Sequence, residues 1–165
     1  MHSAAYWIKK LNLQQHPEGG WFKEIYRSGD VIPSEALPEN FSGERNCSTS
    51  IYYLLEKENV SSFHRIKSDE VWHYYAGSSA IEILYLHNGA LLSQKLGSDF
   101  DAGEQFQFVV PKNTWFAARL TDSNGYALVG CTVSPGFNFD DFELADDSLA
   151  QDFPYFAEEI KKLIL

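Results

Sequence analysis

The stretch His64-Arg65-Ile66-Lys67-Ser68-Asp69-Glu70-Val71-Trp72-His73-Tyr74-Tyr75-Ala76-Gly77 decides how this chain is read. Two strand-like runs, Ser62–Lys67 and Val71–Ala76, flank a polar Ser68-Asp69-Glu70 turn. Side chains alternate across a strand, so Ser62, His64 and Ile66 share one face. Glu70, Trp72 and Tyr74 share one face of the second run. A tight turn between them aims His64 and Glu70 into one interior. His73 is one residue out of phase and goes to the opposite face with Val71 and Tyr75, as a packing or subunit-contact residue. Asp69 reads as a solvated turn former.

Outward from this stretch, strands recur at regular spacing. Trp21 to Ser28 alternates, with Trp21, Lys23, Ile25 and Arg27 on one face and Phe22, Glu24 and Tyr26 on the other. Ser48–Leu55, Ala80–Leu86, Leu91–Leu96, Gln105–Val110, Trp115–Leu120 and Tyr126–Val133 follow the same pattern. His87-Asn88-Gly89 and Ser123-Asn124-Gly125 each predict a hairpin turn. Pro33, Pro38 and Gly43 make Gly29–Glu44 a long loop. Helical spacing occurs only toward the two ends of the chain. Ser3 caps a helix from Ala4 to about Leu13, and a closing helix runs from Tyr155 with Phe156, Ile160 and Leu163 on one face. His16-Pro17-Glu18-Gly19-Gly20 breaks the first helix; His16 reads as a turn residue there, with a pocket-mouth role beside Glu18 as the less favoured reading. About nine short strands without helices between them predict one all-β sandwich or barrel over residues 1–165.

Composition narrows the function classes. A net charge of −10 argues against nucleic acid as a partner. No apolar run is long enough to span a membrane, and the first 20 residues lack a secretory pattern, so the expected location is cytoplasmic. Cys47 and Cys131 stand 84 residues apart in apolar contexts, which predicts buried free thiols rather than a disulfide. Aromatic residues make up 15% of the chain, suited to strands and to a lined cavity. No G-x-S-x-G elbow and no Walker or dinucleotide phosphate loop is present. Arg27, Arg45, Arg65 and Arg119 either meet an anionic ligand or pair with some of the 23 acidic residues.

His64–Gly77 resembles the first motif of the cupin superfamily, H-x-H-x3-E-x6-G, with Ile66 at the second His position. Pro111-Lys112-Asn113-Thr114-Trp115-Phe116 resembles the second motif, P-x-G-x-x-H, with Asn113 for Gly and Phe116 for the last His. Taken with His16-Pro17-Glu18-Gly19-Gly20-Trp21-Phe22, Ser68–His73 and Ser134-Pro135-Gly136-Phe137, the chain looks like a cupin branch catalogued as a domain of unknown function. The resemblance implies a jelly-roll barrel with short terminal helices, and a homodimer. It implies an interior lined by Tyr53, Ser62, His64, Ile66, Glu70, Trp72, Tyr74 and Phe116, which suits a small-molecule ligand.

Three functional readings follow. In the leading one the barrel binds a small molecule and performs metal-independent acid–base catalysis on a carbonyl sugar or related metabolite. Metal-free sugar-nucleotide epimerases use this barrel and resemble the chain at Gly20-Trp21-Phe22-Lys23-Glu24. Here His64 abstracts the proton, Glu70 or Asp69 orients it, and Tyr53 or Tyr74 returns a proton. The second is a ligand-binding module without catalysis. The third is a degenerate metallocupin in which His64 and Glu70 hold a divalent metal; two protein ligands are fewer than the usual three or four. No other cofactor is indicated.

Overall fold

The structure, a computed structural model, describes residues 2–165. It is a jelly-roll barrel of two facing six-stranded sheets. The strands are β1 (Gln14–Gln15), β2 (Trp21–Arg27), β3 (Val31–Ile32), β4 (Arg45–Asn46), β5 (Thr49–Glu56), β6 (Val60–Ile66) and β7 (Asp69–Gly77), then β8 (Ile81–His87), β9 (Ala90–Leu96), β10 (Glu104–Gln105), β11 (Gln107–Val110), β12 (Phe116–Leu120), β13 (Tyr126–Ser134) and β14 (Phe142–Leu144). One sheet runs β1-β2-β5-β13-β7-β11, and the other β10-β9-β8-β12-β6-β14. The short β3–β4 pair structures the ends of the long loop after β2.

The chain changes sheets at the turn after Ile66, so β6 and β7 face each other across the interior. That turn is tighter than expected, because β7 already begins at Asp69. Asp69 Oδ1 accepts the Lys112 N–H at 2.8 Å, and the Ile66 carbonyl accepts the Asn113 N–H at 2.7 Å. Asn113 has φ +60°, the left-handed conformation that Gly and Asn tolerate best, which accounts for Asn at the motif's Gly position. The His87-Asn88-Gly89 hairpin forms with both Asn88 and Gly89 at positive φ. The hairpin expected at Ser123-Asn124-Gly125 does not: β12 lies in one sheet and β13 in the other, so this turn is a crossing between sheets. A local turn signal gives the reversal of direction but not the sheet that the next strand joins.

Between the sheets lies the main core, where Leu55, Trp72, Ile83, Leu96, Phe116 and Val129 are at most 1% exposed. Burying each such side chain is worth about 1.5–3 kcal/mol. The helices cover the outer faces. α1 (Ala4–Leu11) is capped by Ser3, whose Oγ accepts the Tyr6 N–H, and it packs on Leu54 and Leu128. It stops two residues before the expected end because Asn12 turns left-handed at φ +55°. α2 (Asp147–Asp152) and α3 (Ala157–Lys161) set Leu149 and Ile160, with Leu163 just beyond α3, against Phe63, Leu84 and Ala117 on the other sheet. Arg119 bridges Glu82 on β8 and Glu159 on α3, so it fastens this helix rather than meeting a ligand. Cys47 and Cys131 are both free thiols, Cys131 buried as expected and Cys47 only half-buried. Among the described residues no helix is long and apolar enough to cross a membrane.

Candidate functional site

The barrel is filled at one end and hollow at the other. The hollow end holds a cavity of about 320 Å³, lined from β2, β5, β6, β7 and β13, from the loop before β2, and from the segment 137–142. Its polar groups are His16, Glu18, Glu24, Arg27, Thr49, Tyr53, His64, Glu70, Cys131 and Asn138. Phe22, Ile51, Ile66, Val133, Phe137, Phe139 and Phe142 give it apolar walls.

Glu18 sits at the centre of the polar group and is 6% exposed. The loop that carries it turns sharply, and a Cβ on Gly19, at φ +107°, would collide with the Val60 carbonyl oxygen. Tyr53 Oη donates to the Gly19 carbonyl at 2.7 Å, and the Glu18 carbonyl accepts the Ser62 N–H at 2.9 Å. The loop is thus pinned to β5 and β6. Ser61 Oγ donates to Glu18 Oε1 at 2.8 Å. His64 Nε2 stands 3.2 Å from Glu18 Oε2, while His64 Nδ1 lies 2.7 Å from the Ser62 carbonyl. A carbonyl only accepts, so Nδ1 carries hydrogen. The Nε2 contact is then favourable only when a further proton is held between imidazole and carboxyl. His16 is different. Its Nδ1 accepts the Glu18 N–H at 3.3 Å, so the neutral ring carries its proton on Nε2. The 3.5 Å approach of that same Nδ1 to Glu18 Oε2 is therefore a contact and not an ion pair. Burial lowers the His16 pKa, against a smaller opposing pull from Glu18.

Glu70 is 8% exposed and reaches the same cavity from β7. Its carboxyl makes no hydrogen bond of ordinary geometry to any described residue. Burial, and then the charge of Glu18, push its pKa up to about 8, against weaker downward pulls from Cys131 and Trp72. Cys131 lies beside it, and burial raises the thiol well above its ordinary value, which leaves it protonated and unreactive.

At the rim, Arg27 donates Nε and Nη2 to the two oxygens of Glu24, at 3.0 and 2.7 Å. Its Nη1 donates to Asn46 Oδ1 and to the Phe137 carbonyl. Strict alternation would place Glu24 and Arg27 on opposite faces. A bulge at Ile25 shifts the register between Glu24 and Tyr26, and both reach the cavity. The aromatic wall is Phe137, Phe139 and Phe142, with ring centroids 5.0 to 6.1 Å apart. Asp141 anchors this segment through a two-pronged pair with Arg45 at 2.6 and 2.7 Å, both side chains being 4% exposed, and through Lys67 at 3.3 Å. Arg65 pairs with Glu143.

Of the residues named from sequence, Tyr53, His64, Ile66 and Glu70 line the cavity. Ser62, Trp72, Tyr74 and Phe116 do not. Ser62 misses because β6 carries an extra residue between Ser61 and His64, opposite the Phe116–Ala118 step of β12, and the bulge gives Ser61 to Glu18 instead. Trp72 and Phe116 fill the closed end as core. Tyr74 lies four residues along β7 from Glu70, about 13 Å at the usual rise, and its hydroxyl donates to the Ser79 carbonyl. Nor is Tyr53 free to return a proton, since its hydrogen is committed to Gly19. Both His64 nitrogens face protein groups, Nδ1 the Ser62 carbonyl and Nε2 the Glu18 carboxyl. His73 keeps to the outer face, 3.3 Å from Thr132 Oγ1. His16 beside Glu18 at the pocket mouth, the less favoured reading of that loop, is where the structure places both; the signal that favours it is the double glycine, which marks a loop forced close to other backbone.

The residues do not fit a metal. Ile66 and Phe116 offer no donor, the His64 nitrogens face Ser62 and Glu18, and among the described residues no three His, Cys, Asp or Glu side chains converge as a metal site.

Comparison with known proteins gives concordant results. The family model described as Cupin superfamily (DUF985) matches residues 5–145. The chain is 34% identical over 144 residues to the uncharacterized protein YML079W of Saccharomyces cerevisiae, covering 81% of this chain and 71% of the yeast protein. Protein SO0799 from Shewanella oneidensis superposes with a TM-score of 0.86 at 38% identity, over 100% of this chain and 99% of that one. A hypothetical protein from Leishmania major gives 0.88 at 30% identity, over 99% of both.

Proposed function

The chain belongs to the cupin superfamily, in the branch described as DUF985, and from that premise we propose that its cavity binds a small molecule and moves protons on it without a metal. One observation carries this reading: two carboxyl groups in very different settings face the same cavity. Glu18 is hydrogen-bonded and backed by an imidazole, whereas Glu70 makes no well-formed hydrogen bond to a described residue and burial pushes its pKa up to about 8, which keeps it protonated at neutral pH. Such unlike pairs suit a base and an acid. Glu18 takes a proton from the carbon beside a carbonyl, the C–H electrons form the C=C bond of an enol, and the carbonyl oxygen takes the Glu70 proton. Where the deprotonated carbon bears a hydroxyl, Glu18 then gives its proton to the former carbonyl carbon while Glu70 takes the proton of that hydroxyl, which yields the isomer and restores both groups.

The test starts from whatever co-purifies. Small molecules released from wild type and from Ile66→Trp, which fills the cavity, are compared by mass spectrometry, with thermal melts to check that both proteins fold. A species held only by wild type is expected. In deuterium oxide it should gain deuterium with wild type and not with Glu18→Gln. Identical contents in both proteins would discard the reading. The Phe137–Phe139–Phe142 wall supports a second reading, capture without chemistry. It predicts the same retained species with no deuterium uptake.

The homodimer belongs to the same proposal. β1 covers only Trp21 and Phe22 of the β2 edge, leaving Ile25 and Tyr26 48% and 54% exposed. Light scattering that reads a monomer mass would remove it.

A further inference from the structure

The groups around the cavity restrict the chemistry of its occupant. Arg27 is the only Lys or Arg side chain among those lining it. Four of the five guanidinium N–H groups are spent, two on Glu24, one on Asn46 and one on the Phe137 carbonyl. A phosphate or carboxylate entering here finds a cation already neutralised and would lie near Glu18 and Glu24. A nucleotide diphosphate has no partner. The three-ring wall also offers no cage for an organic cation, because its rings pack edge to face against one another at 5.0 to 6.1 Å.

What remains open is polar in one direction. The Glu70 carboxyl, more than nine-tenths buried, makes no hydrogen bond of ordinary geometry to a described residue, although the Cys131 thiol and the Trp72 indole lie beside it. His16 Nε2–H likewise makes no hydrogen bond among the described residues, Nδ1 being the ring nitrogen that does. Both can donate to an oxygen, and neither needs that oxygen to be charged. Ile51, Ile66, Val133 and the phenylalanine wall take the rest of the molecule. We infer that the occupant is an uncharged carbonyl compound bearing an apolar or aromatic group, its carbonyl oxygen on Glu70 and His16 and its ring or chain on Phe137, Phe139 and Phe142.

This rests on the proposed binding site and narrows it. The titratable groups facing Glu70 are Glu18 from the loop, Cys131 from β13 and, around the cavity, His16, His64, Tyr53 and the Glu24–Arg27 pair. The test titrates three probes of one size into the full chain by calorimetry: 2-hydroxyacetophenone, phenyl phosphate and benzyltrimethylammonium. The ketone should bind and the two ions should bind at least tenfold more weakly or not at all. Ketone affinity should fall at least tenfold between pH 6.5 and 9.5, as Glu70 loses the proton it donates. Glu70→Gln, which keeps a donor, should bind with no such fall, and Ile66→Trp should not bind. Tighter binding of either ion, or no binding of the ketone, overturns the inference. The site reading survives that result if the co-purified species is still lost in Ile66→Trp, so the two failures are separable.

Discussion

Along β7, Glu70, Trp72 and Tyr74 stand two residues apart on one face, yet they lie in different surroundings. Trp72 is packed among Tyr53, Phe116 and Val129 in the closed half of the barrel. Glu70 faces open space in the other half, beside an acid that raises its pKa. The closed half obeys the ordinary rule of the interior, apolar and full. The open half breaks it with buried carboxyls, an imidazole and a cavity. Stability is concentrated in the first, and any chemistry has to come from the second, which costs stability to keep. Buried polar groups left without partners are expected where function is held.

The contrast can be broken at Glu70 first. Its folded pKa is about 8 against 4.5 for a free carboxyl, so between those values the unfolded chain has released a proton that the folded chain retains. Stability is therefore full below about pH 4.5, falls as pH rises toward 8 and levels beyond, by up to about 5 kcal/mol at about 1.4 kcal/mol per pK unit. Glu70→Gln should flatten that slope and be the more stable protein near pH 8, read by urea melts across this range. Leu96→Ala, in the closed half, should cost about 4 kcal/mol at every pH, because it opens a cavity among tightly packed core residues. If its cost instead followed pH, the two halves would not be separate. Arg45→Met should cost about 3 kcal/mol by leaving Asp141 buried with Lys67 as its remaining partner. Because Asp141 anchors the aromatic wall, ketone binding should weaken as well. Tyr53→Phe should cost only about 1 kcal/mol, one hydrogen bond to Gly19, while loosening the loop that presents Glu18. Deuterium uptake should then fall further than stability does.

The barrel was legible because its signals are repetitive: alternation, turn residues at regular spacing, and two partial family motifs agree with one another. Half of the residues named from sequence reach the cavity for the same reason, since His64, Ile66 and Glu70 keep the phase that the tight turn after Ile66 allows. The remainder of the site escaped for two physical reasons. Bulges at Ile25 and in β6 each insert one residue and invert the phase beyond it, which brought Arg27 inward and replaced Ser62 by Ser61. No local property of the residues marks such an insertion. Glu18 and the phenylalanine wall come from segments without periodicity, whose position depends on distant partners: Ser61 for one, Arg45 for the other. Depth along the barrel was also invisible. Period two says that Trp72 and Tyr74 point inward, but not that the interior at their level is already full.

The pinned loop before β2 has a thermodynamic consequence. Its residues meet β6 more than 40 positions later, and the wall at 137–142 closes the same space from nearly the other end of the chain. The cavity therefore exists only when widely separated parts of the polypeptide are docked together, and an unfolded chain keeps no fragment of it. By mass action, an occupant at a hundredfold excess over its dissociation constant adds about 2.7 kcal/mol to global unfolding. The melting temperature thus becomes an assay that requires no knowledge of the reaction, and a library of metabolites can be sorted by it before any turnover is measured.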